Sequence, residues 1–273
     1  MVEFRSYFTI RIGNQVVPIE RLIMALENRW FENDQFWQEM ERKVYSADQW
    51  NASMQEVEQA LRLLKISEPS MLLDMCCGNG RHSIALSRLG HEVMGVDLND
   101  RYLAAAVAAA NREGAQVEFQ KGDMRVFQST QLFDAALVLW NAFGYFETDV
   151  EDGQALARLN SSLRPGGKLL LQTHGRESTA RKFVRKDWFE IGDCLVLDQR
   201  WIEDNWERMR TRYIVIDENG RREHVMSCRL YSPGSIGLLL KSAGFAHIEF
   251  FGSLSGTPYD EKAFELVAVA TKT

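Results

Sequence analysis

Residues 71–82, Met-Leu-Leu-Asp-Met-Cys-Cys-Gly-Asn-Gly-Arg-His, constrain this chain more than any other stretch. Met71 to Met75 is a short apolar run of the kind that fills a buried strand of a parallel sheet. It breaks at Gly78-Asn79-Gly80 and passes into Ser83-Ile84-Ala85-Leu86, whose spacing is helical, with Gly90 placed to close that helix. Strand, glycine turn and helix start together make a ligand-binding corner. Glycines let a ligand approach the backbone, and the free N–H groups of the helix start favour an acceptor or anion. By itself Gly-x-Gly marks only a βα turn. The next apolar run, Gly90 to Asp97, ends in a carboxylate, where nucleotide-binding α/β folds hold a ribose.

From 71 to 175 the pattern keeps alternating strand and helix. Asn99 or Asp100 caps an alanine-rich helix from Arg101 to Arg112, stopped by Gly114. Gln116 to Gln120, Phe133 to Leu139 and Lys168 to Gln172 read as further strands, with a helix over Val150 to Leu163. Such alternation requires right-handed crossovers and a mostly parallel sheet, with ligands at the carboxyl ends of its strands. Asp74, Asp97, Asp123, Asn141 and His174 all fall at or near those ends.

Two additions flank this core. Residues 1–66 read as a mainly helical cap. One or two strands lie within 3–17, with a turn at Gly13-Asn14, and helical faces run from Pro18 to Phe31, from Phe36 to Tyr45 and from about Ser53 to Lys65. The core proper spans 67–175 and resumes at 233–273, where a helix stops at Gly244 and the strands His247–Phe251 and Phe264–Thr271 follow. Between them, 176–232 reads as an antiparallel insertion. Trp206 to Asp217 puts Met209, Thr211, Tyr213 and Val215 on one face and Arg208, Arg210 and Arg212 on the other, expected to be solvated. Both additions leave the sheet near its carboxyl edge, so both are expected over the same end of it.

Composition narrows the function classes. The net charge of −6 argues against an electrostatic nucleic-acid binder, and residues 176–232 nearly cancel, with 12 Lys and Arg against 11 Asp and Glu. The four cysteines, two of them adjacent, suit neither a disulfide framework nor a zinc site, and no metal is expected. With no signal peptide and no run long enough to span a bilayer, a cytoplasmic protein that binds no membrane is expected.

In their order these motifs resemble the seven-stranded, Rossmann-like class I S-adenosylmethionine-dependent methyltransferases, over about residues 70–273. Asp74-x-x-x-Gly78-x-Gly80 resembles the first motif of that family, Asp97 its ribose acid, and Gly122-Asp123-Met124 its adenine motif. Leu163 to Gly167 resembles its turn before strand five, and the ending fits its reversed last strand. One departure is Cys76, which stands where many members have the first glycine of the motif. The insertion after strand five is similar to that of the glycine and amino-sugar N-methyltransferase type.

The resemblance implies S-adenosylmethionine as methyl donor, S-adenosylhomocysteine as product and a small-molecule acceptor. Gly78 and Gly80, with Cys76 beside them, would meet the methionyl part, Asp74 its ammonium, Asp97 with Leu98 the ribose, Asp123 and Met124 the adenine, and the Leu139 carbonyl again the ammonium. Displacement at a sulfonium methyl needs alignment above all, so an amine acceptor requires no fixed base, whereas a hydroxyl benefits from one. His174 is the candidate base and Tyr145 a candidate partner. Asn141, Arg176, Phe36 and Trp37 are candidates for holding the acceptor. The alternatives are O-methylation of a small hydroxylated metabolite, a nicotinamide-dependent oxidoreductase, for which Gly78-x-Gly80-x-x-Ser83 and Asp97 nearly suffice, a catalytically idle cofactor-binding partner protein, and an RNA methyltransferase.

Overall fold

The computed structural model describes residues 9–12, 15–18 and 29–273. At the N-terminus β1 (Thr9–Ile12) and β2 (Gln15–Pro18) pair antiparallel, with Thr9 opposite Pro18. The turn expected at Gly13-Asn14 lies outside the described residues, as does most of the helix expected from Pro18 to Phe31 (residues 19–28), while Pro18 itself ends β2. Trp30–Glu32 forms a single 3₁₀ turn rather than the end of a longer helix. Next comes α1 (Asp34–Val44), capped by the Asn33 side chain on the Phe36 N–H. The following helix, α2 (Ala47–Leu64), starts six residues before the expected Ser53. Ser46 and Gln49 form a reciprocal capping box there, and the first turn carries little apolar signal because the buried face begins at Ser53. Lys65 in the left-handed region ends it.

The core then follows the expected alternation. Its elements are β3 (Met71–Met75), α3 (Arg81–Arg88), β4 (Glu92–Asp97), α4 (Asp100–Glu113), β5 (Val117–Lys121), β6 (Phe133–Val138), α5 (Asp149–Ser162) and β7 (Leu163–Thr173). Asn99 caps α4 by accepting from the Arg101 and Tyr102 N–H groups, and Gly114 closes it. Arg164 to Gly167 bulge out of β7, which pairs with β6 first through Leu163 and then again from Lys168. Gly167 is required in that bulge, because a β-carbon would stand 2.8 Å from the Arg164 carbonyl oxygen.

Beyond β7 the short α6 (Arg176–Arg181) leads into β8 (Lys186–Ile191), β9 (Cys194–Glu203), β10 (Arg208–Asp217) and β11 (Gly220–Arg229), an antiparallel sheet in the order β11-β10-β9-β8. The insertion is therefore antiparallel, as the sequence suggested, but four-stranded, with β8 and β9 preceding the strand expected from Trp206 to Asp217. The core resumes with α7 (Pro233–Ser242), β12 (Phe245–Phe251) and β13 (Leu266–Lys272). Seven strands run in the order β12-β13-β7-β6-β3-β4-β5, parallel from β7 to β5, with β13 reversed between β7 and β12. The central strands are buried on both sides: Leu72, Leu73, Ala135, Leu137, Leu169 and Leu171 have no exposed surface.

The expected arginine face needs correction. Arg208 is 3% exposed and Arg210 9%. That side of the insertion sheet packs over the loop after β6, and Arg208 donates to Ser227 Oγ (2.7 Å) and to the Glu147 carbonyl (2.7 Å), while Arg210 pairs with Glu203 (2.8 Å). Guanidinium groups serve here because they satisfy buried carbonyls and carboxylates at a distance from their own backbone. Only Arg212, paired with Glu223, keeps to the surface.

Candidate functional site

The carboxyl ends of β3 to β7 open into a cavity of about 700 Å³. The cap contributes Trp30, Phe36, Trp37, Met40 and Tyr45 to its wall, and the insertion contributes Tyr213 and Met226. Cap and insertion meet in one apolar cluster around Trp30, Phe36, Met40, Ile191, Val196 and Val215, and the Trp30 indole donates to the Ser227 carbonyl (2.9 Å). The described stretch of the cap from Trp30 to Tyr45 and the insertion thus lie over the same end of the sheet.

The floor is built from strand ends. After β3 the chain turns through Cys76 (φ 63°), Gly78 (φ 55°) and Gly80 (φ 78°). Cys76 holds a conformation in which glycine is free of strain and a β-carbon is not. A β-carbon on Gly78 would stand 2.2 Å from Tyr45 Oη, so the turn is closely covered by that phenol. Asp97 orders the same turn, with Oδ2 accepting from the Gly78 N–H (2.8 Å) and Oδ1 from the Asn99 N–H (2.9 Å). Burial raises its pKa while those backbone bonds oppose the shift. Asp74 is buried beneath the turn and accepts from Ser83 Oγ (2.5 Å); burial raises its pKa as well.

Asp123, after β5, is engaged by Arg125, whose Nη2 lies 2.6 Å from Oδ2 and whose Nη1 reaches Glu151 (2.8 Å). Burial would raise the Asp123 pKa, but the Arg125 bonds and charge hold it low. After β6, Trp140 (φ 58°) and Asn141 (φ 59°) make a tight turn in the left-handed region. Among the described residues the Leu139 carbonyl there receives a long bond from the Ala142 N–H (3.4 Å), and Asn141 Oδ1 is buried without a partner.

Of the residues singled out in the sequence, Asp74, Cys76, Asp97, Leu98, Asp123, Met124, Leu139, Asn141, Tyr145, His174, Phe36 and Trp37 all line this one cavity. Gly78 and Gly80 shape the turn beside it. Arg176 is not brought to it: its Nη2 is directed at the Leu230 carbonyl (3.5 Å) and Glu207 (3.8 Å). Burial drives the His174 pKa down to about 4, helped by the Lys182 charge, so the imidazole is neutral at neutral pH. Burial also pushes the Tyr145 phenol far up.

A second cluster was not foreseen. Glu56 of α2 accepts from Arg81 Nη1 (2.5 Å), His82 Nε2 (2.8 Å) and Trp140 Nε1 (2.9 Å), and Arg81 lies over the Trp140 ring, 4.6 Å from its centroid. Burial would raise the Glu56 pKa, but the His82 bond and charge, the Arg81 charge and the Trp140 N–H hold it at about 2. This cluster clips the cap to the helix start after Gly80. Arg81-His82 following the glycines was the visible signal, but nothing local pointed to Glu56.

Comparison with known proteins agrees with this geometry. A methyltransferase-domain family model matches residues 72–167. A glycine/sarcosine N-methyltransferase from Parasynechococcus marenigrum is 31% identical over 211 residues, covering 74% of this chain and 73% of that protein. A dTDP-3-amino-3,4,6-trideoxy-alpha-D-glucopyranose N,N-dimethyltransferase from Streptomyces venezuelae is 30% identical over 105 residues, 38% of this chain and 43% of that one, so this match spans less than half the relative's length. An S-adenosylmethionine-dependent methyltransferase of Clostridium acetobutylicum shares the fold, with a TM-score of 0.73 at 12% identity, over 88% of this chain and 98% of that chain.

Proposed function

The chain belongs to the class I S-adenosylmethionine-dependent methyltransferases, and within that family we propose that it methylates the nitrogen of a small-molecule amine. Membership sets aside the nicotinamide-dependent alternative. The residues present suit the donor. Asp97 is an acid at the ribose position whose backbone bonds already fix its orientation, Gly78 leaves no room for a β-carbon, and the Leu139 carbonyl and Asn141 Oδ1 are left with acceptor capacity.

When bound, S-adenosylmethionine supplies an electrophilic methyl group: the acceptor lone pair forms the new bond to carbon while the C–S pair leaves with sulfur as a neutral thioether. The protein holds the reactants in line and keeps water out. Asp97 would take the ribose hydroxyls, Asp123 and the Met124 N–H the adenine, and Asp74 with the Leu139 carbonyl the ammonium. The cap and the insertion wall off the acceptor, which supports a displacement driven by positioning.

One observation carries the choice of nitrogen. A hydroxyl acceptor calls for a base whose pKa lies near the working pH. His174 sits at about 4, and Tyr145 is buried and pushed the other way. An amine that arrives neutral needs only its lone pair, and the product ammonium can release its proton to solvent. The N-methyltransferase activities of the two relatives from Streptomyces venezuelae and Parasynechococcus marenigrum support the same reading. A panel of amines and hydroxylated metabolites, followed by transferred methyl mass, tests it. Methylation of amines is expected, and transfer confined to hydroxyls would contradict it.

A further inference from the structure

We propose that the cavity selects an amine carried on an uncharged, largely apolar body and discriminates against amines that bear a carboxylate. This rests on the amine reading above and narrows it. Among the described residues three permanent cations line the cavity, Arg29, Arg81 and Lys121, and each already faces a carboxylate. Arg81 keeps one buried nitrogen, Nη2, without a partner, and it follows the Gly78–Gly80 turn that would meet the donor's methionyl part, whose own carboxylate has first claim on it. Arg81 Nη1 is 2.5 Å from Glu56, Arg29 Nε 2.8 Å from Glu32 and Lys121 Nζ 2.5 Å from Asp100. Arg81 is also pinned over Trp140 and bonded to the Gln49 carbonyl and Ser53 Oγ. Arg29 and Lys121 are more than half exposed, at the solvent side of the cavity.

The polar groups left for an acceptor are neutral. Among the described residues no hydrogen bond reaches Tyr45 Oη, Tyr145 Oη or the His174 ring, and Asn141 Oδ1 is buried unpartnered. The phenol oxygen, the unprotonated imidazole nitrogen and the amide oxygen can accept from an amine N–H, and aromatic faces attract an ammonium. Around them the wall is Trp30, Phe31, Phe36, Tyr213 and Met226. A carboxylate brought against that wall would either remain desolvated and unpaired or have to draw Arg81 out of its buried pair with Glu56, and both are unfavourable. Arg29 and Lys121 offer it only exposed, weakly pairing charges at the solvent side.

Matched amines test this directly: phenethylamine against phenylalanine, tryptamine against tryptophan and isobutylamine against valine, with glycine and sarcosine alongside. Binding is measured by calorimetry on the S-adenosylhomocysteine-loaded protein, and methyl transfer by mass with S-adenosylmethionine. The uncharged-bodied member of at least one pair should bind and be methylated with kcat/KM about tenfold or more above its carboxylate partner. Met226→Arg should shrink that ratio by adding a cation to the wall. Equal or reversed preference overturns the inference and leaves N-methylation standing, and so does failure of every uncharged-bodied amine to bind. Transfer to hydroxyl acceptors with no amine methylated overturns the underlying amine reading instead.

Discussion

Glu56→Ala should destabilise the protein far more than a typical substitution at a partly exposed glutamate. The carboxylate accepts from Arg81, His82 and Trp140 and so joins three separate segments. Removing it leaves Arg81, 4% exposed, with two neutral acceptors and no carboxylate in direct contact. Breaking a buried pair from one side costs about 3–5 kcal/mol, and the two remaining bonds place this case at the low end, about 3 kcal/mol. The depressed pKa of Glu56 leads to a similar figure. A fall from 4.5 to about 2 corresponds to about 3 kcal/mol, reduced to about 2 because Glu56 keeps some contact with solvent. Since the folded-state pKa is depressed, this contribution is fully present above about pH 4.5 and is lost as pH falls toward about 2. Urea unfolding of wild type and variant should therefore show a gap of about 2–3 kcal/mol at neutral pH that closes through the acid range. A gap under about 1 kcal/mol at neutral pH, or one that does not narrow in acid, would refute the reasoning.

Three further outcomes are expected. Asp97→Asn should weaken S-adenosylhomocysteine binding by about 1.5–3 kcal/mol in calorimetry, through lost charge-assisted bonds, and unchanged affinity would remove Asp97 from the ribose. His174→Gln should retain much of the turnover, and its pH–rate curve should share the wild-type midpoint, because the His174 proton is lost near pH 4 and the acceptor amine sets the rise. A wild-type midpoint that vanishes in the variant would identify His174 as the base. Trp30→Ala removes a 5%-exposed indole bonded to Ser227 and should cost about 3–5 kcal/mol in denaturant unfolding, while raising the acceptor KM more than the S-adenosylhomocysteine Kd; equal effects on both would argue that the cap does not wall the acceptor side.

The sequence made the core legible because its signals are local. Met71–Met75, the glycines and Asp97 mark buried strand, turn and strand end within a single crossover, and the structure keeps that order in one parallel sheet. The early start of α2 was missed because its capping box precedes any apolar periodicity. Strands β8 and β9 were missed because Trp188 is exposed and β9 is only intermittently buried, so neither alternates cleanly. Arg208 and Arg210 read as a wet face since nothing local shows that the loop after β6 covers them. The same limit hid the cluster of Glu56, Arg81, His82 and Trp140, whose members meet only through tertiary packing. It also hid the position of Arg176, which follows β7 but is directed at β11's end and away from the cavity.

The central claim is that this cavity aligns a nitrogen lone pair with the donor methyl group. It is tested most directly by giving the protein S-adenosylmethionine labelled with carbon-13 in the methyl group, together with a nitrogen-15-labelled amine from the matched panel. The product is then read by NMR. A one-bond coupling between the transferred carbon-13 and nitrogen-15 is the predicted result. Label attached to oxygen or carbon, or an amine that binds the S-adenosylhomocysteine-loaded protein and still receives no methyl group from the labelled donor, would contradict the account.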